Sequence, residues 1–136
     1  MEKPIDDVLA MPFWIIDILP MQVPKDGGGQ YFAVEKYYLE RDRLAGIKEK
    51  HIDLILKLNC YRDVSIDGET AVNPPPEHIA EEMKRRFLHI RVDGAAIQTA
   101  PDETYMTVFG ADEALLMLLR TLAAGEGLYL WQPPEE

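Results

Sequence analysis

The sequence predicts an α+β fold: a single globular domain over residues 1–136, with a mixed β-sheet packed by about four helices. Three observations carry this expectation. Short apolar, β-branched runs are separated by longer stretches with helical spacing. Their order is strand, two helices, strand, helix, three strands, helix, strand, which is not a strict βαβ alternation. An Asp-Gly pair and a proline-led turn join the three central strands into an antiparallel meander over about residues 87–109.

The first strand is the run from Pro12 to Leu19, aromatic and β-branched and closed by Pro20. Three glycines, Gly27 to Gly29, then lead into a helix over Tyr31 to Glu40. The next stretch, Arg43 to Leu58, places Leu44, Ile47, His51, Leu54, Ile55 and Leu58 on one helical face, with Lys48, Glu49, Lys50 and Lys57 mostly opposite. Asn59 fits a left-handed helix cap, and Cys60 to Asp67 reads as a strand that follows directly.

Prolines and early acids open a third helix within Asn73 to Phe87, and Lys84, Arg85 and Arg86 close it, as the helix dipole favours. Phe87 to Val92 and Ala95 to Ala100 form a hairpin about Asp93 and Gly94, and the segment from Thr104 to Phe109 adds the third strand. Ala111 to Gly127 then carries a broad leucine face and ends in glycine, before a closing strand from Leu128 to Trp131.

With 136 residues, 47% of them apolar and 28% charged, the chain is large enough for a core without disulfides or metal. The acidic N-terminus lacks the pattern of a secretory signal, and no apolar run is long enough to span a bilayer, so a cytoplasmic protein with no membrane association is expected. Cys60 is the sole cysteine, which excludes an internal disulfide and any zinc site needing two cysteines. The net charge of −10 is concentrated at the C-terminal end, where residues 101 to 136 hold seven acids and one base. Such a field disfavours a nucleic-acid partner and suits a basic protein, although solubility alone also explains it.

The glycine stretch matches neither a P-loop, which needs a Gly-Lys-Ser/Thr triplet, nor a dinucleotide loop, whose sixth position here is Phe32. It reads as a connecting turn, with Lys25 beside Asp26 giving a poor anion site. His51, His78 and His89 have no ligand spacing between them, so neither a metal nor a cofactor is expected. His51 reads as a core or boundary histidine, His78 as solvated, and Cys60 as a small core residue.

Three residues stand out as catalytic candidates. Asp17 shares a strand face with Phe13, Ile15 and Leu19, so its carboxylate needs a partner there: a structural hydrogen bond or ion pair, with Arg91 or Arg62 as candidates, or a functional role in a pocket. His89 and Arg91 share one face of their strand, an arrangement suited to acid–base work on an anion. The expected function is a small acidic protein-binding or regulatory module without catalysis, holding a basic protein or a second copy of itself. The alternative is a small metabolite enzyme with Asp17, His89 and Arg91 in a cleft.

Overall fold

The structure, a computed structural model, describes residues 3–20 and 28–133. Its elements run α1 (Ile5–Leu9), β1 (Phe13–Asp17), α2 (Gly28–Leu39), α3 (Arg41–Asn59), β2 (Ser65–Ile66), α4 (Pro76–Arg85), β3 (Leu88–Val92), β4 (Ala95–Thr99), β5 (Met106–Phe109), α5 (Glu113–Gly125) and β6 (Tyr129–Trp131). From β1 onward this is the expected order. The short α1 is additional, and five residues are too few to show a helical period. Most of the glycine-loop reading falls outside the described residues; Gly28 and Gly29 themselves open α2.

The six strands form one sheet in the order β2-β3-β4-β5-β1-β6. The α+β fold is as expected, and every pairing among the described strands is antiparallel. The directions of β1, β2 and β6 are set by neighbours remote in the chain. The β3–β4 turn takes the anticipated form, with positive φ at both Asp93 (50°) and Gly94 (78°), which matches the twist of a tight hairpin.

Alternation gives the sheet two unlike faces. Ile66, Ile90, Ile97, Val108 and Trp14 lie in register across one of them. This face is buried under the helices, in a core that includes Leu54, Ile55 and Leu58 of α3, Ile79 and Met83 of α4, and Leu115 and Leu119 of α5. Each such fully buried aliphatic side chain contributes on the order of 1.5–3 kcal/mol. α3 is the hub of this layer, touching α2, α4 and α5. α5 starts cleanly because the Asp112 carboxylate, at the N-cap, accepts from the Leu115 amide at 2.8 Å.

The second face carries Ser65, Arg91, Ala96, Phe109 and Phe13 in one row and His89, Gln98, Thr107, Ile15 and Trp131 in the next. α1 packs against β4 with Val8 fully buried, and the Arg91 guanidinium donates to the Lys3 carbonyl beneath it.

Three expectations around the end of α3 are corrected. The strand is confined to Ser65–Ile66, because the amides of Cys60, Tyr61 and Arg62 still bond back to Lys57 and Leu58 carbonyls and prolong the helix end. Cys60 is therefore exposed at the C-cap, its thiol directed to the Leu56 carbonyl, and is not a core residue. Asn59 remains helical; the left-handed asparagine is Asn73, whose side chain gathers Asn59, Asp63 and the Val64 amide.

Candidate functional site

The three catalytic candidates lie on the second sheet face but do not meet. His89 and Arg91 are on β3 and Asp17 is on β1, with β4 and β5 between them. Three inter-strand steps amount to roughly 14 Å. His89 pairs with its cross-strand neighbour Gln98, Nε2 to Oε1 at 3.1 Å, and stacks edge-on with Phe87. Arg91 is buried; it bridges Asp67 at 3.1 Å and the Lys3 carbonyl, tying β3 to the turn after β2 and to the chain before α1. The ion pair expected for Asp17 is corrected on the same grounds: Arg91 serves Asp67, and Arg62 serves Asp93.

Asp17 instead sits at the end of β1, where its carboxylate accepts from the Ile18 amide at 2.7 Å. With Ile18, Leu19, Val34, Glu35, Thr104 and Tyr105 it lines a small pocket between β1, α2 and the β4–β5 loop. Burial pushes its pKa up to about 6, the Ile18 and Leu19 amides pull it down, and the Glu35 charge raises it further. Tyr105, at the rim, is itself held above its ordinary value by burial, by its hydrogen bond to Glu103, and by the charges of Glu103, Asp17 and Asp102. Three carboxylates thus act on one partly exposed phenol.

Behind the same loop lies a buried polar cluster. Lys48 Nζ donates to Thr99 Oγ1 at 3.1 Å and to the Ala100 carbonyl at 2.7 Å, and lies 3.0 Å from His51 Nδ1. Burial lowers the Lys48 amine to about 8, against the opposing pull of Glu103 and Asp102. Burial and the Lys48 charge push the His51 ring down to about 3; the nearby Thr104 backbone, which favours the charged ring, is outweighed. His51 Nε2 makes no hydrogen bond of good geometry among the described residues. The cluster anchors α3 to the loop that carries Thr104 and Tyr105.

His51 is the core histidine its helical face implied. Lys48, expected on the polar face, is buried: it stands three residues before His51 and four after Leu44, the spacing that puts it on their side of the helix. Tyr105 and Glu35 carried no signal, because their role depends on which elements the fold brings to Asp17.

Glu69, His78 and Glu82 are a third cluster, with ligand atoms close enough to share an ion. Their groups are already engaged with one another and with arginines: His78 meets Glu69 at 2.8 Å, Glu82 accepts from Arg85 and Arg86, and Arg86 also reaches Glu69. His78, expected to be solvated, is the histidine of this network. Two guanidinium groups neutralise the two carboxylates, which makes it an ion-pair network that ties α4 to the turn after β2.

No helix among the described residues is long and apolar enough to cross a membrane. Comparisons of the chain with protein-family models, with curated proteins and with solved structures gave no match.

Proposed function

We propose that this chain is a non-catalytic binding module that holds a basic protein partner on the second face of its sheet. The observation that carries the reading is the exposure of large aromatics on and beside that face. Phe13 is 41% exposed, Phe87 51%, Tyr105 37% and Tyr129 49%, where a solvated sheet face would carry polar side chains. Phe13 and Phe109 rings lie 5.8 Å apart, so part of this aromatic surface is already ordered before a partner arrives.

Charge selects the partner. Asp17, Glu103 and Asp102 surround Tyr105, and the whole chain carries −10, a field that steers a cationic protein inward and repels a second copy or a nucleic acid. A cytoplasmic setting suits the exposed thiol of Cys60, which stays reduced there. The metabolite-enzyme reading draws no support from the separation of Asp17 from His89 and Arg91.

The test is affinity capture on the immobilised protein with elution by a salt gradient, alongside a Tyr105→Ala/Tyr129→Ala variant whose folded spectrum is first verified. A basic protein, released by salt and retained at least tenfold less by the variant, is the expected result. Capture that is salt-insensitive, or undiminished in the variant, rules this reading out.

A further inference from the structure

The second sheet face is covered at one end. α1 crosses it there: the Lys3 carbonyl accepts from Arg91 on β3, Val8 is buried against β4, and Met11 lies against Gly110 beyond β5. α1 thus lies over the row of Arg91, Ala96, Phe109 and Phe13. In the next row His89, Gln98, Ile15 and Trp131 stay partly exposed. Beyond it, Phe87, Tyr105 and Tyr129 are exposed to either side of Asp17. α2 borders the far side, where Val34 lines a pocket with Asp17 and Tyr105.

The floor and width of this trough limit what fills it. Strands inside a sheet have already paired their amides and carbonyls, so a segment laid on the face must satisfy its own backbone, as a helix does. Rows on one face are two residues, about 6.7 Å, apart. A helix packed beside α1 at about 8–10 Å stands above the two open rows. From β3 to β6 the sheet takes four inter-strand steps. These amount to about 19 Å, the length of a helix of about 13 residues.

Charge sets the character of that helix. The two open rows hold no lysine or arginine among the described residues, whereas carboxylates border them. Asp102 and Glu103 act on Tyr105 from the β4–β5 loop, and Asp6 and Asp7 are exposed on α1. We infer that the trough takes one basic amphipathic helix of the partner, laid across the strands beside α1. Its apolar stripe covers Ile15, Trp131 and the exposed aromatics, and its lysines and arginines run along the acidic borders. The inference rests on the binding-module reading and names the element of the partner that is held.

The probe is a leucine–lysine peptide of about 14 residues with its leucines at helical spacing. It is titrated into the full chain while its helicity is followed by difference circular dichroism and the chain's amides and Trp131 indole by NMR. A leucine–glutamate peptide of the same pattern tests charge, and a leucine–lysine peptide with strictly alternating leucines, the pattern of a strand, tests shape. The expected results are saturable binding, a peptide that becomes helical, shifts confined to the strip from His89 to Trp131 and to α1, and about tenfold weaker binding of both control peptides. Gln98→Lys and Tyr129→Lys, each placing a cation in the trough, weaken binding about tenfold. Tyr61→Lys, exposed just past the end of α3, makes the same change in net charge and leaves binding unaltered. Equal binding of either control peptide, an equal loss in Tyr61→Lys, shifts centred outside the trough, or no saturable binding overturns the inference.

The two readings fail separately. A basic protein captured by the sheet face but not displaced by the helical peptide leaves the binding-module reading standing and removes the helix. Helical-peptide binding in the trough without capture of any basic protein does the reverse.

Discussion

The amine of Lys48 and the Nδ1 of His51 lie 3.0 Å apart, one helical turn from each other on α3, and both side chains are buried. The protonated amine has three hydrogens and meets three acceptors: His51 Nδ1, Thr99 Oγ1 and the Ala100 carbonyl. For His51 to accept, its ring must be neutral with the proton on Nε2. A lysine and a histidine thus share one site by taking different charge states.

The first prediction follows directly. In an NMR titration, His51 stays neutral through pH 5, its protonation displaced towards about 3, and the Lys48 side chain loses its proton near pH 8. A His51 ring that titrates near 6.5, its ordinary value, contradicts the buried pairing.

Linkage turns the His51 value into a stability profile. Its folded pKa lies below the unfolded value of 6.5, so the unfolded chain binds the extra proton between the two. Folding is then unpenalised above pH 6.5 and loses up to about 1.4 kcal/mol per pH unit as the pH falls towards 3. His51→Gln, which keeps an acceptor for Lys48 but cannot titrate, flattens this limb in denaturant melts recorded from pH 7 to pH 4. An unchanged slope assigns the acid sensitivity to other groups.

Asp17 acts with the opposite sign. Its pKa is raised from 3.8 to about 6, so the folded chain holds the proton more tightly. The resulting stabilisation is complete below pH 3.8 and is lost as the pH rises through 6. Asp17→Asn therefore stabilises the protein at pH 7.5 by about 1 kcal/mol, after discounting for its partial exposure, and the two proteins converge near pH 4. Destabilisation at pH 7.5 indicates that the ionised carboxylate has a structural partner.

Arg91 holds α1 against the sheet through the Lys3 carbonyl and through Asp67. Arg91→Ala leaves these acceptors without their buried donor and costs about 3 kcal/mol. Its signature is local: amides of Ile5–Leu9 lose protection in hydrogen exchange before those of the β3–β4 hairpin. Uniform loss across the sheet assigns Arg91 to the core instead of the α1 attachment.

Gly110, between β5 and α5, has φ of 72°, and a Cβ there meets Met11 Sδ at 2.9 Å. Gly110→Ala combines a left-handed backbone with that clash and lowers stability by about 1–2 kcal/mol. The double variant Gly110→Ala/Met11→Ala recovers the steric part only. Melting curves of the two variants separate strain from contact, and equal losses exclude the Met11 clash.

Period and punctuation in the sequence determined the element order, the four longer helices, the β3–β4 turn at Asp93 and Gly94, and the core face of α3 with His51 on it. These depend on neighbours within a few residues, where the helical spacing of Leu54, Ile55 and Leu58 and the positive torsions of Asp-Gly leave few choices. Charge and the marked position of Asp17 were also legible, since a carboxylate amid Phe13, Ile15 and Leu19 is conspicuous in any strand. Only the tertiary structure decided that β4 and β5 separate Asp17 from Arg91, that Arg91 turns to Asp67 and Lys3, and that Glu35 and Tyr105 close around Asp17. Alternation along a strand fixes which face a side chain takes. Which strands become neighbours, and which loop shelters their ends, is set by burial summed over the whole chain, and no local spacing encodes it.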